Sequence, residues 1–106
     1  MAKTLPIIAP GEILLEEFLK PLGISQNALA RALHVTLGRV NDIIHGRRSI
    51  TPDTAARLAV FFGTSPDLWL NLQARHDAKV AVRELVPRIA KQVRQRADSG
   101  LSKDVR

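Results

Sequence analysis

The stretch SQNALARALHVTLGRVNDIIHG, residues 25–46, reads as two short helices joined by a tight turn. Ser25 stands where a helix N-cap is needed, because its hydroxyl can accept an orphan backbone N–H two or three residues on. Leu29 and Leu33 recur at helical spacing, with the small Ala30 where two helices must approach closely. Val35 closes the turn. Val40 and Ile43 carry an i, i+3 apolar stripe into the second helix. Gly46 ends that helix, since glycine enters left-handed backbone space without strain.

This spacing is the helix-turn-helix pattern of DNA readers, with Gln26 at its first position and Ala30 at its fifth. The usual turn glycine is replaced by His34, one of the residues better tolerated in left-handed space. The bland reading is an αα-hairpin with no nucleic-acid role. Charge argues against it. The 106-residue chain carries a net charge of +6, a balance that favours polyanions through counterion release. Between Ser25 and Ile50 lie Arg31, Arg39, Arg47 and Arg48, opposed within that stretch only by Asp42.

Working outward, Pro10 suits a first helical position, and Glu12, Glu16 and Glu17 follow near the positive end of the helix dipole. Leu14, Phe18 and Leu22 are predicted to face the core, while Glu16 and Lys20 form an exposed i, i+4 pair. Pro21 and Gly23 end this helix. After the motif, residues 46–50 make a short basic loop. Thr51-Pro52-Asp53 opens a new helix whose buried face is Ala55, Leu58, Ala59 and Phe62, with Gly63 as its stop. Thr64-Ser65-Pro66-Asp67 repeats the start signal for a helix through Val80 carrying Leu68, Trp69 and Leu72. Trp69, the only tryptophan, reads as a core anchor with its N–H satisfied. Beyond it, Val82, Leu85, Ile89 and Val93 keep a helical spacing that Pro87 should kink near Val86. Arg83, Arg88, Lys91, Arg94 and Arg96 load the other faces of this segment.

The expected organisation is one all-α domain: an extended arm over residues 1–9, a DNA-binding domain over 10–80, a basic helical extension over 81–98 suited to dimerisation, and a disordered tail over 99–106. Length alone allows one modest core. There is no cysteine, which removes disulfides and thiolate metal sites and fits a reducing cytoplasm. No apolar run approaches the roughly 20 residues of a membrane span. His34, His45 and His76 have no metal-ligand spacing, and neither a phosphate-cradling glycine loop nor a nucleophile elbow is present. No catalytic, metal or cofactor site is predicted.

At Pro10-Gly11-Glu12, the motif itself, residues 50–55 (ITPDTA) and the run TSPDLWLNLQ at 64–73, the sequence resembles the HigA-type antitoxins. These form part of the Xre (lambda-repressor-like) helix-turn-helix group, and the likeness covers roughly residues 7 to 80. It implies a lambda-repressor-like domain of about five helices, usually a homodimer. It also implies a protein that binds a HigB-type mRNA-cleaving toxin and represses the operon encoding both. The rival within the same fold is a free-standing repressor without a toxin. A more distant one is an interaction module whose basic tail meets RNA or a membrane.

Position within the motif nominates DNA contacts. The recognition helix should begin near Thr36, which makes Thr36, Leu37, Gly38, Arg39 and Asp42 candidates for base edges, with Asn41 flanking. Arg39 suits guanine and Asn41 suits adenine. Asp42 either accepts from a cytosine amine or orients Arg39. Gly38 costs about 1 kcal/mol in mid-helix relative to Ala, so it marks either close approach to DNA or relief of crowding. Ser25, Gln26 and Asn27 at a helix N-terminus, together with Arg47 and Arg48, are the phosphate candidates.

Overall fold

The computed structural model describes residues 6–96, all helical or irregular. Helix α1 spans residues 10–22, α2 is Gln26–Leu33, α3 is Leu37–Ile44, α4 is Pro52–Phe62 and α5 is Pro66–Val80. A π-helical turn, Ala81–Leu85, leads from α5 into a short α6, Val86–Ile89. The order matches the five-helix expectation with an extension. The expected disordered tail and the first five residues of the N-terminal arm fall outside the described residues.

Two of these helices are not uniform, for the same reason. Helix α1 is π-helical over Leu14–Leu19, and the second π segment is Ala81–Leu85. Each ends two residues before a proline, Pro21 or Pro87. A proline ring clashes with the carbonyl four residues back and has no N–H to offer it. A wider turn relieves the clash: the Lys20 N–H bonds to Leu15 O and the Val86 N–H to Ala81 O, both five residues back. The predicted kink near Val86 is this turn. Pro21 therefore bends α1 rather than stopping it, and Gly23 in left-handed conformation ends it. The π turn also rotates the face that follows it. Leu22, predicted to be in the core, is 60% exposed, and Leu19 takes the buried place.

The core is Leu14, Leu19, Leu29, Leu33, Val40, Ile43, Ile44, Ile50, Leu58 and Trp69, with Ala30, Ala55 and Ala59 where helices cross closely. Each large apolar side chain so buried contributes about 1.5–3 kcal/mol. All four aromatic residues gather at one end of it. Phe18, Phe62 and Trp69 pack as tilted rings with centroids 4.8–5.8 Å apart, and Phe61 meets Phe62 edge-on. The Trp69 Nε1–H donates to Thr64 Oγ1 at 2.9 Å, as its anchor role requires. Thr64 is thereby spent on the tryptophan, and Ser65 caps α5 without a side-chain hydrogen bond.

Gly11 shows why α1 opens as it does. A Cβ there would collide with the Ile43 carbonyl oxygen and lie 2.6 Å from Ile43 C and 2.7 Å from Ile44 Cα. The first turn of α1 rests directly on the backbone at the end of α3. That contact fixes where the second helix of the motif sits.

Candidate nucleic-acid interface

The motif forms as its residues dictate. Ser25 Oγ accepts the Ala28 N–H and Thr36 Oγ1 accepts the Arg39 N–H, both at 3.0 Å, so each helix starts on its own side-chain cap. His34 takes the left-handed conformation at φ 58°, the one non-glycine residue to do so among the described residues. The Val35 N–H then bonds to Ala30 O and the His34 N–H to Arg31 O, the paired closure of a Schellman motif. Helix α3 closes the same way through Gly46, with the Arg47 N–H on Asp42 O and the Gly46 N–H on Ile43 O. A histidine thus performs in the turn what glycine performs at the end of α3.

Thr36, Leu37 and Gly38 form the exposed N-terminal turn of α3, and Leu37 is 48% exposed. A Cβ on Gly38 would meet nothing closer than Thr36 Oγ1 at 3.9 Å. Crowding within the chain therefore does not explain this glycine.

The charged and amide side chains do not stand independently. Arg39 Nη1 donates to Asp53 Oδ2 at 3.0 Å, across 14 residues, and Arg57 Nε donates to the same oxygen at 2.9 Å. Arg57 Nη1 continues to the Leu33 carbonyl oxygen at 2.8 Å, at the turn. Arg57, then Arg39, hold the Asp53 carboxyl below the usual carboxylate range. Asp42 lies elsewhere: its Oδ1 accepts from Arg47 Nε at 3.1 Å. The expectation that Asp42 orients Arg39 is corrected, since Asp42 orients Arg47 and Asp53 takes Arg39.

A second chain ties the two helices of the motif together. Asn41 Nδ2 donates to Gln26 Oε1 at 3.2 Å, and Arg47 Nη2 donates to Asn41 Oδ1 at 2.7 Å. Both ends of the Asn41 amide are engaged, so an adenine contact would have to replace these partners. With its oxygen held by Asn41, Gln26 keeps its amide N–H groups for other acceptors. Asn27 and Arg48 are exposed, and Arg48 has no ion pair among the described residues. The four arginines of residues 25–50 thus split: Arg39 and Arg47 are ion-paired, Arg39 sharing its carboxylate with Arg57, while Arg31 and Arg48 have no ion pair among the described residues.

The loop bearing Arg47 and Arg48 is pinned from beneath. Gln73, buried on α5, accepts the Ile50 N–H at 2.8 Å and donates to Asp77 Oδ1 at 2.9 Å. Sequence reading missed Gln73, Asp53 and Arg57. The i, i+4 spacing of Asp53 and Arg57 was visible, but their reach to Arg39 and Leu33 was not. No group of His, Asp or Glu capable of holding a metal ion occurs among the described residues, and none of their helices is long and apolar enough to cross a membrane.

Two capped helices locked at a left-handed turn, with the exposed first turn of the second flanked by arginines, define a helix-turn-helix nucleic-acid-binding domain. The sequence matches the Helix-turn-helix family over residues 15–69. It is 53% identical over 77 residues to virulence-associated protein I of Dichelobacter nodosus, covering 73% of this chain and 71% of that one. Among solved structures, a HigA-family addiction module antidote protein from Coxiella burnetii superposes with a TM-score of 0.75 at 47% identity. That match covers 87% of this chain and all of the other. Pseudomonas aeruginosa antitoxin HigA with the higBA promoter superposes at 0.78 and 40% identity, with the same coverage. The chain belongs to the Xre-type helix-turn-helix family, and close structural neighbours are HigA-family antitoxins. Its relatives include HTH-type transcriptional regulators and antitoxin HigA-1 of Vibrio cholerae, 41% identical over 66 residues.

Proposed function

We propose that this protein is an antitoxin that represses its own operon, binding an inverted-repeat operator as a homodimer and pairing with a HigB-type toxin. The observation that carries the DNA-reading part is the exposed, capped first turn of α3, with Leu37, open-sided Gly38 and a held Arg39. Helix N-terminal turns of this kind enter the major groove. In this reading Leu37 meets a thymine methyl, Arg39 takes guanine O6 and N7, and the missing Cβ of Gly38 lets the groove edge come close. Thr36, Asn41 and Asp42 border the base edges. Ser25, Gln26 and Asn27 at the start of α2, with Arg47 and Arg48, contact phosphates.

In this reading the partner copy packs on the extension, and the exposed apolar Val82, Val86, Ile89 and Val93 in that basic segment support it. Two copies related by a two-fold axis would read half-sites about 34 Å apart, one turn of the duplex. The toxin pairing is supported by the likeness to HigA antitoxins, and the cytoplasm is the matching compartment.

Arg39→Ala and Arg48→Ala test the DNA reading. On a panel of operator variants, Arg39→Ala should flatten discrimination at one base pair by about 1–3 kcal/mol. Arg48→Ala, which removes a cation with no ion pair among the described residues, should weaken all sequences alike and reduce the salt slope by about one. Equal losses on every sequence for both variants would defeat the assignment.

A further inference from the structure

The first turn of α4 lies outside the helix-turn-helix, yet one of its carboxylates reaches into it. Asp53 Oδ2 accepts from Arg39 on α3 and from Arg57 on α4, and Arg57 also donates to Leu33 O at the turn. A single oxygen therefore links the recognition helix, the turn and the helix that follows.

We propose that Asp53 is a specificity-determining positioning residue: it aligns Arg39 for a base edge and withholds it from phosphates. This rests on the DNA-reading surface proposed above and deepens it. A guanidinium has five N–H donors in a rigid plane, and Asp53 occupies Nη1. The remaining donors suffice for a paired contact with guanine O6 and N7. Holding the long side chain before DNA arrives removes an ordering cost that binding would otherwise bear.

The charge argument is independent of the alignment. Non-specific affinity grows with the number of phosphates neutralised by free cations. The Asp53 carboxylate, set against the guanidinium groups of Arg39 and Arg57, leaves one net cation there in place of two, whereas Arg48, without an ion pair among the described residues, adds fully. A carboxylate beside the groove thus lowers binding to arbitrary sequence while preserving the base contact. Arg57 stabilises Asp53 in place and is the residue through which a purely structural role would act.

The test compares the full chain and Asp53→Asn, each with Arg39 intact and with Arg39→Ala. The ligands are a duplex selected by the unaltered chain from a randomised pool and a scrambled duplex of the same composition, over a salt series. Asp53→Asn should lower the ratio of selected to scrambled affinity about tenfold. It should also tighten binding to the scrambled duplex and steepen the salt slope by about one. In the Arg39→Ala background the same substitution should leave the ratio unchanged. An unchanged ratio with Arg39 intact, or equal losses in both backgrounds, would overturn the inference. Failure of the unaltered chain to select any sequence would instead overturn the DNA reading, and this inference with it.

Discussion

Gly11→Ala adds one methyl group where α1 meets the end of the recognition helix, and the structure sets its consequence. The new Cβ would collide with the Ile43 carbonyl oxygen and lie 2.6 Å from Ile43 C and 2.7 Å from Ile44 Cα. All three atoms are backbone, so no side chain can rotate away. Ordinary contact begins at 3.4 Å, so the 2.6 Å contact alone requires the two backbones to part by roughly 0.8 Å, and the colliding carbonyl oxygen requires more. Overpacking of a buried contact costs about 1–3 kcal/mol, and an unyielding neighbour puts this site at the upper end. The better helix propensity of alanine returns up to about 1 kcal/mol. The expected net loss is about 2 kcal/mol, which for a domain of this size lowers the melting temperature by about 8–16 °C. Urea denaturation should show a lower midpoint at unchanged slope. Gly38→Ala is the internal control. Its Cβ meets only Thr36 Oγ1 at 3.9 Å, so stability should rise by up to about 1 kcal/mol while DNA affinity falls. A Gly11→Ala protein as stable as the parent would refute the argument from close approach.

Three further outcomes follow from single contacts. His34→Gly removes the cost of left-handed backbone for a side chain but loosens the unfolded chain, so denaturant unfolding should report a gain of up to about 1 kcal/mol. A loss of that size would mean that the imidazole itself stabilises the turn. Gln73→Ala strands the N–H of buried Ile50 and should cost about 1–3 kcal/mol by the same assay, with unchanged stability contradicting the pin. The Asp53 carboxyl, held low by Arg57 and Arg39, contributes stability above its unfolded pKa that is lost as pH falls through its folded value. Below about pH 4, Asp53→Asn should therefore flatten the acid decline seen by thermal melts, and identical acid limbs would argue against the pair.

Much of this molecule could be read from local chemistry. Caps at Ser25, Thr36 and Thr51, and the left-handed ends at Gly23 and Gly63, are decided within a few residues, and the helices begin and end where those residues stand. The aromatic anchor at Trp69 and the exposed Glu16–Lys20 pair were equally local. Leu22 was misplaced because a uniform helical period ignores the wider turn that Pro21 imposes. The site was legible as a set of residues on α2 and α3 but not as a network. Asp42 and Asp53 both lie near Arg39 in some sense, one in sequence and one in space, and periodicity could see only the first. Gln73 escaped notice because a glutamine on an amphipathic helix reads as surface until a loop 23 residues away folds over it.

The central claim, a sequence-reading repressor coupled to a toxin, is tested most directly by binding to the DNA upstream of its own gene. The titration runs over several salt concentrations, with and without the product of the neighbouring gene. Saturable, sequence-selective binding to an inverted repeat, tightened or released by that product, is the predicted result. Weak binding, indifferent to sequence and to the neighbouring product, would contradict it.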